Sequence, residues 1–388
     1  MARRVFFHVG TLKTGTTYLQ RVMWKNRDAL RDAGVLFAGK YYNDRVWAAQ
    51  AVRGNKHPHE RAATAWDRIV AQVNAFDGDA VISHEFLGGA SAEQAAGAMA
   101  RVAPAEVHVV CTARDLIGIL PAFWQEQVKF GYTGEFADYD PEPLTARPGS
   151  NWSWRTIDVA DVLRRWAADL PPERVHVVTM PGAGKPRDLL WKRFAEVCGF
   201  DPSTASLDLP TVNESMGVAE AELLRRVNGG LHDELRNPRD IGRWLRGYLG
   251  LEILARRDGE KLRVSASRAA ELRERGRAIV DELRGAGYHV VGDLDDLVGP
   301  EDPPTSRMPE EVGEPELLDV ALDTINVMLA DHQRLSQENA SLQRKLADGA
   351  APAEAAKAGR GLDGSLRDRR APSSVARGVV HRARRLLS

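Results

Sequence analysis

Cysteine is nearly missing: Cys111 and Cys198 are the only two in 388 residues, and both sit inside apolar stretches. Each reads as a small core residue rather than a ligand, which leaves no disulfide framework and excludes a zinc site built on cysteine. No apolar run approaches the roughly 20 residues that a membrane span requires. The opening Met-Ala-Arg-Arg before Val5-Phe6-Phe7 is too brief for a secretory segment. Charge of one sign is absent too. The 53 basic and 54 acidic residues leave a formal net charge of −1, so nothing draws the whole chain to nucleic acid. These absences point to a cytoplasmic protein without a nucleic-acid partner. What is abundant is apolar: 43% of residues are hydrophobic, ample for a large core.

Four apolar runs read as buried parallel strands: Arg4 to Val9, Ala80 to Ile82, Val107 to Thr112 and Val175 to Thr179. Helical stretches separate them. Tyr18, Leu19, Val22, Met23 and Leu30 recur at helical spacing, and Ser91 with Gln94 opens another helix as a capping box. The alternation predicts an α/β fold, a parallel sheet flanked by helices, over residues 1–298. Residues 299–314, dense in proline and acid, read as a linker. Within 315–347, Leu318, Ile325, His332, Asn339 and Leu346 share one heptad position. Ala321, Met328, Leu335 and Leu342 share its partner position. That pattern predicts a coiled-coil helix through which the chain forms a homo-oligomer, a single docked amphipathic helix being the alternative. Residues 348–388 read as a flexible basic tail, with seven arginines against one aspartate from Arg367 onward. Either an amphipathic helix at the anionic inner membrane surface or a solvated tail fits that composition.

The most informative segment is His8-Val9-Gly10-Thr11-Leu12-Lys13-Thr14-Gly15-Thr16-Thr17. A glycine-rich turn between a buried strand and a helix presents backbone N–H groups at the positive end of the helix, a cradle suited to phosphate. Gly10 and Gly15 have the spacing of a nucleotide-triphosphatase loop, but Thr16 stands where its lysine belongs, and Lys13 lies within the loop instead. A lysine so placed lies closer to the junction between a single 5′-phosphate and its transferred group than to the end of a triphosphate.

Lys13 to Thr17 reads Lys-Thr-Gly-Thr-Thr, and with its strand-to-helix context the chain resembles the sulfotransferases that use 3′-phosphoadenosine-5′-phosphosulfate (PAPS), in particular their bacterial branch. The resemblance covers roughly residues 1–300. It implies a P-loop-like fold in which Lys13 contacts the bridging oxygen of the leaving group and Thr14, Gly15, Thr16 and Thr17 ligate the 5′-phosphate. The family's second mark is an arginine at the end of a later strand, and Arg114 follows Val107 to Ala113 in that position. Its fork suits a phosphate bidentately. By this likeness Arg114 holds the 3′-phosphate of PAPS and of the product PAP. The serine that the family places eight residues later is Ala122 here. The stretch Leu189 to Phe200 and the segment Thr211-Val212-Asn213-Glu214-Ser215 resemble the family more loosely.

Sulfuryl transfer, like phosphoryl transfer, is an in-line displacement catalysed by positioning and electrostatics, with a base for the acceptor proton and no metal expected. Ser83-His84-Glu85 offers that base at a strand end, as Glu85 or as His84, and the family uses either type. Lys40 to Trp47 and Phe130 to Tyr139, with their aromatic and charged residues, are candidate walls for an acceptor such as a carbohydrate or glycolipid. Two other readings remain: a PAPS- or PAP-binding scaffold without activity, for which Ala122 speaks, and a phosphotransferase, against which Thr16 speaks.

Overall fold

Alternate residues of the first strand face opposite ways, and each side finds its own core. Val5 and Phe7 of β1 (Arg4–His8) join Ala80, Ile82, Val109, Cys111 and Val177 in one cluster. Phe6 joins Val81, Val110, Val178 and Val291 in another. The sheet lies between these cores, which is why its strands are apolar on both faces. The computed structural model describes residues 1–55, 60–141, 153–182, 184–210 and 215–358, with side chains as far as residue 346.

Six strands pair in parallel in the order β2-β3-β1-β4-β5-β6. After β1 they are β2 Val35–Phe37, β3 Asp79–Ser83, β4 Glu106–Ala113, β5 Val175–Thr179 and β6 His289–Val291. The α/β parallel sheet expected from the sequence is present. The four expected strands fall within one residue of their runs, and the three-residue edge strands β2 and β6 are additional.

The flanking helices divide between the two faces. Helix Thr16–Lys25 puts Leu19, Val22 and Met23 into one core, together with Trp191 and Phe194 of helix Leu189–Cys198. Helices Ala65–Ala75, Leu116–Lys129 and Val159–Trp166 cover the other face. The chain therefore leaves β1 towards one face and leaves its neighbour β4 towards the other. Their carboxyl ends form a topological switch point, where open parallel sheets bind ligands. The capping box at helix Ala92–Ala100 forms as expected, with Gln94 N donating to Ser91 Oγ at 3.1 Å and Ser91 N to Gln94 Oε1 at 2.9 Å.

Residues Met1–Ile325 make one compact unit and Asn326–Ser388 a second. Segment 299–314 belongs to the first: Arg263 N donates to Ser306 Oγ at 2.9 Å, and Val312 is buried. Helix Glu314–Ala358 begins there and buries Leu317, Val320 and Thr324. Its heptad residues Leu318, Ile325, Met328, Leu335, Leu342 and Leu346 are 44% to 73% exposed. No helix among the described residues is long and apolar enough to cross a membrane. The arginine-rich stretch from residue 367 lies outside the described residues, as do Thr211 to Glu214.

Candidate functional site

Between β1 and its helix the backbone leaves ordinary conformations three times. Gly10 (φ 123°) and Gly15 (φ 82°) occupy positions that favour glycine, and Lys13 does the same with φ 63°. At Gly15 the constraint is steric as well, since a Cβ would come within 2.4 Å of Leu190 Cδ2. A lysine held left-handed costs on the order of 1 kcal/mol or more, strain that persists only where surrounding contacts impose it.

Those contacts come from β4. Thr11 N donates to the Thr112 carbonyl at 2.7 Å, and Thr112 Oγ1 donates to the Gly10 carbonyl at 3.0 Å. Thr14 Oγ1 donates to the Thr11 carbonyl at 2.6 Å and lies 2.7 Å from Thr112 Oγ1. His8, fully buried, bridges Ser83 Oγ (2.8 Å) and Thr112 Oγ1 (3.2 Å), and burial pulls its imidazole down to about 4. One neutral ring accepting on one nitrogen and donating from the other completes this network.

The loop ends at an open helix start. Gly15 is the N-cap, no side chain caps the first turn, and no acid lies in it. The first-turn N–H groups of Thr16, Thr17 and Tyr18 thus have no intrahelical acceptor, and the helix dipole favours an anion there. Thr17 is exposed and Gly15 partly so. Thr16 is buried, and Thr14 is buried with its hydroxyl committed to the loop. Of the four residues expected to hold the 5′-phosphate, Thr14 therefore presents no free hydroxyl.

Lys13 Nζ, 21% exposed, contacts Glu126 Oε2 at 2.9 Å. Glu126 lies in helix Leu116–Lys129 and also meets Arg246 Nε at 2.7 Å and Lys129 Nζ at 3.5 Å. Burial alone would raise this carboxyl; the charges of Lys13, Lys129 and Arg246 outweigh it and hold the group down at about 2. Glu126 was not among the residues that the sequence pointed to. Its spacing of three from Lys129 is the common signature of an exposed helical pair, and nothing local signals burial.

His84 and Glu85 follow β3 and face the loop. Gly10 lies against Glu85: a Cβ there would stand in ordinary contact, 3.4 Å from the Glu85 carbonyl oxygen. The Glu85 carboxylate accepts from Gln20 Nε2 of the loop's own helix at 2.9 Å. Burial opposes its charge, but His84, its own backbone amide, Gln20 and His8 together hold its carboxyl below the usual range. His84 caps the short helix Glu85–Gly89, its Nδ1 accepting from Phe86 N at 3.1 Å. Burial lowers its basicity.

Arg114 sits just beyond β4, with a side chain 34% exposed and 3.7 Å from the Asp115 carboxylate. Asp115 is mainly a helix cap, accepting from Gly118 N at 2.6 Å. The guanidinium lies across the first turn at Gly118, where a Cβ would fall within 2.4 Å of it. Ala122, in the same helix, offers no polar side-chain atom. Lys13 to Thr17, His84, Glu85 and Arg114 therefore all stand at the carboxyl ends of β1, β3 and β4. The loop is tied to β4 through Thr112, and Glu85 to the loop's helix through Gln20. The chain matches no family model, no curated protein and no solved structure.

Proposed function

We propose that the protein is a sulfotransferase that moves a sulfuryl group from PAPS to a hydroxyl or amine of an acceptor. The observation that carries this reading is Lys13 held left-handed inside the β1 loop, beside an uncapped helix start and across Gly10 from Glu85. The loop N–H groups and helix dipole hold the 5′-phosphate. Arg114, at the end of the adjacent strand, holds the 3′-phosphate, and PAP leaves as product. The acceptor oxygen attacks sulfur, the bond from sulfur to the bridging phosphate oxygen breaks, and Lys13 neutralises charge on that oxygen.

Glu85 takes the acceptor proton. His84 serves less well: with Nδ1 accepting from Phe86 N, its other nitrogen carries the proton and has no lone pair to offer. A carboxylate below the usual range is a weak base at rest, so the proton passes only as the new oxygen–sulfur bond forms. Lys13→Ala is expected to slow release of PAP from PAPS, with water or an alcohol as acceptor, by about 10²–10³-fold, the size of a lost charge-stabilising donor. Release at the wild-type rate would overturn the catalytic reading and leave a nucleotide-binding scaffold.

The exposed heptad residues favour a second statement, that the chain self-associates through residues 315–347. Leu335→Glu with Leu342→Glu should lower the sedimentation mass to that of one chain. A wild-type protein already sedimenting as one chain would dispose of the seam. Contact of the basic tail with an anionic membrane surface belongs to the same proposal and is read out by vesicle co-sedimentation.

A further inference from the structure

Arg45 is a buried cation that forms no ion pair among the described residues, although the charges of Asp44 and Glu85 reach it. It is 3% exposed, in helix Asp44–Val52, and among the described residues neither its Nε nor its Nη1 has a hydrogen-bond partner. Its neighbours are rings: Phe37 at 4.6 Å, Trp24 at 4.8 Å and Tyr42 at 5.2 Å from the guanidinium carbon to the centroids. The adjacent Asp44 is committed elsewhere, to Arg68 Nη2 and to the backbone N–H groups of Lys40 and Tyr41. Aromatic faces attract a cation but accept none of its in-plane N–H bonds, and a buried charge left in that state is costly.

Two of the same rings, Trp24 and Tyr42, wall an open cleft of about 440 Å³ whose other lining residues are Arg21, Lys25, Arg27 and Leu209. Three cations line it; Lys25 lies 3.9 Å from the exposed Asp208 carboxylate, Arg27 3.8 Å from that of Asp28, and Arg21 donates to the Pro210 carbonyl at 3.2 Å. The cleft is connected to the candidate base by helix Thr16–Lys25. Gln20, four residues before Trp24 and so on the same helix face about 6 Å away along the axis, donates to Glu85. The charge of Arg45 itself acts on His84 and Glu85.

We propose that Arg45 and this cleft form an oxyanion subsite for the acceptor, which therefore carries a carboxylate or sulfate near its reacting hydroxyl. The anion takes the two orphaned N–H bonds of Arg45, its carbon skeleton packs on Trp24 and Tyr42, and its hydroxyl reaches Glu85. Tyr42, 52% exposed, is the ring that shifts to admit it. Assigning the anion to an acceptor rests on the sulfuryl-transfer reading; the anion site itself does not.

The test is calorimetric titration of glucuronate, inorganic sulfate and glucose into the full-length wild type, Arg45→Met and Lys13→Ala. Glucuronate is expected to bind the wild type and Lys13→Ala within twofold of each other and Arg45→Met at least tenfold more weakly, with glucose not binding. Sulfate that follows Arg45 supports the subsite, whereas sulfate lost only in Lys13→Ala reports the loop. Glucuronate affinity unchanged in Arg45→Met, no glucuronate binding to wild type, or glucose binding equally well each overturns the proposal. Arg45→Met is expected to fold and melt higher than wild type without anion; if it does not fold, Arg45→Gln, which also removes the charge, supplies the comparison. An Arg45-dependent anion site in a protein that fails to bind PAP would keep the subsite and remove the sulfotransferase reading.

Discussion

Replacing Glu126 with leucine is expected to destabilise the fold by about 3–5 kcal/mol, the cost of leaving buried charge without its counter-ion. Three cations converge on this one carboxylate, and Lys129 is itself only 1% exposed. Without Glu126, the partly exposed Lys13 and Arg246 and the buried Lys129 repel one another. Urea unfolding should show a lower midpoint with an unchanged slope. Glu126→Gln should cost less, because it keeps the shape and part of the hydrogen bonding. Adding Lys129→Met to Glu126→Leu should recover part of the loss, since removing both partners of a buried pair is far cheaper than removing one. A loss below about 1 kcal/mol for Glu126→Leu, the scale of a solvated surface pair, would show that the cluster is not a buried one. The consequence extends to the site, because Glu126 is the contact that steadies Lys13 inside its loop.

Acidification from pH 6.5 to 4 should remove stability through two histidines. His8 and His176 are both drawn down by burial to about 4, from an ordinary value of 6.5. Each is neutral in the fold and protonated in the unfolded chain across that window. The unfolded state therefore binds more protons, and stability rises with pH and falls as pH drops. Shifts of this size are worth about 3 kcal/mol each, fully present above 6.5 and lost below 4. Glu126 acts in a separate window. Its carboxyl is depressed from 4.5 to about 2, so its contribution is present above 4.5 and lost on descending to 2. Unfolding midpoints measured at half-unit steps should slope between 6.5 and 4, and His176→Phe, which keeps a ring between His108 and His289, should flatten part of that slope. A flat profile across the window would contradict the assignment of both rings as buried and neutral.

How much of this was legible in the chain varies with how local the cause is. The strands β1, β3, β4 and β5 announced themselves as apolar runs because a parallel strand buried on both faces needs nothing but apolar residues. β2 and β6, the two sheet edges, did not: Val35-Leu36-Phe37 is an apolar run as short as Ala80 to Ile82 yet stands outside the four read as strands, and β6 has only Val290 and Val291 beside His289. The Gly10 and Gly15 spacing foretold a tight loop because left-handed backbone is a property of single residues. The heptad pattern was legible for the same reason, being periodic along one helix. Partners distant in sequence were not. Glu126 meets Lys13 across 113 positions and Gln20 meets Glu85 across 65, and neither pairing leaves a local trace. Arg45 read as one more residue of an aromatic and charged stretch, since only the fold shows that its guanidinium is buried among rings. Helix Ile241–Ile253 is wound as a π-helix and carries Arg246 to Glu126, a placement that no local pattern in the chain marks.

The central claim is that the β1 loop and Arg114 recognise a 3′-phosphorylated adenosine nucleotide rather than a triphosphate. Calorimetric titration of PAP and then ATP into wild type, Lys13→Ala and Arg114→Ala tests it most directly. The account predicts PAP binding well above ATP, and at least tenfold weaker PAP binding to Arg114→Ala, the loss of one bidentate charge-assisted contact. Preference for ATP, binding of neither nucleotide, or PAP affinity indifferent to Arg114 would contradict it.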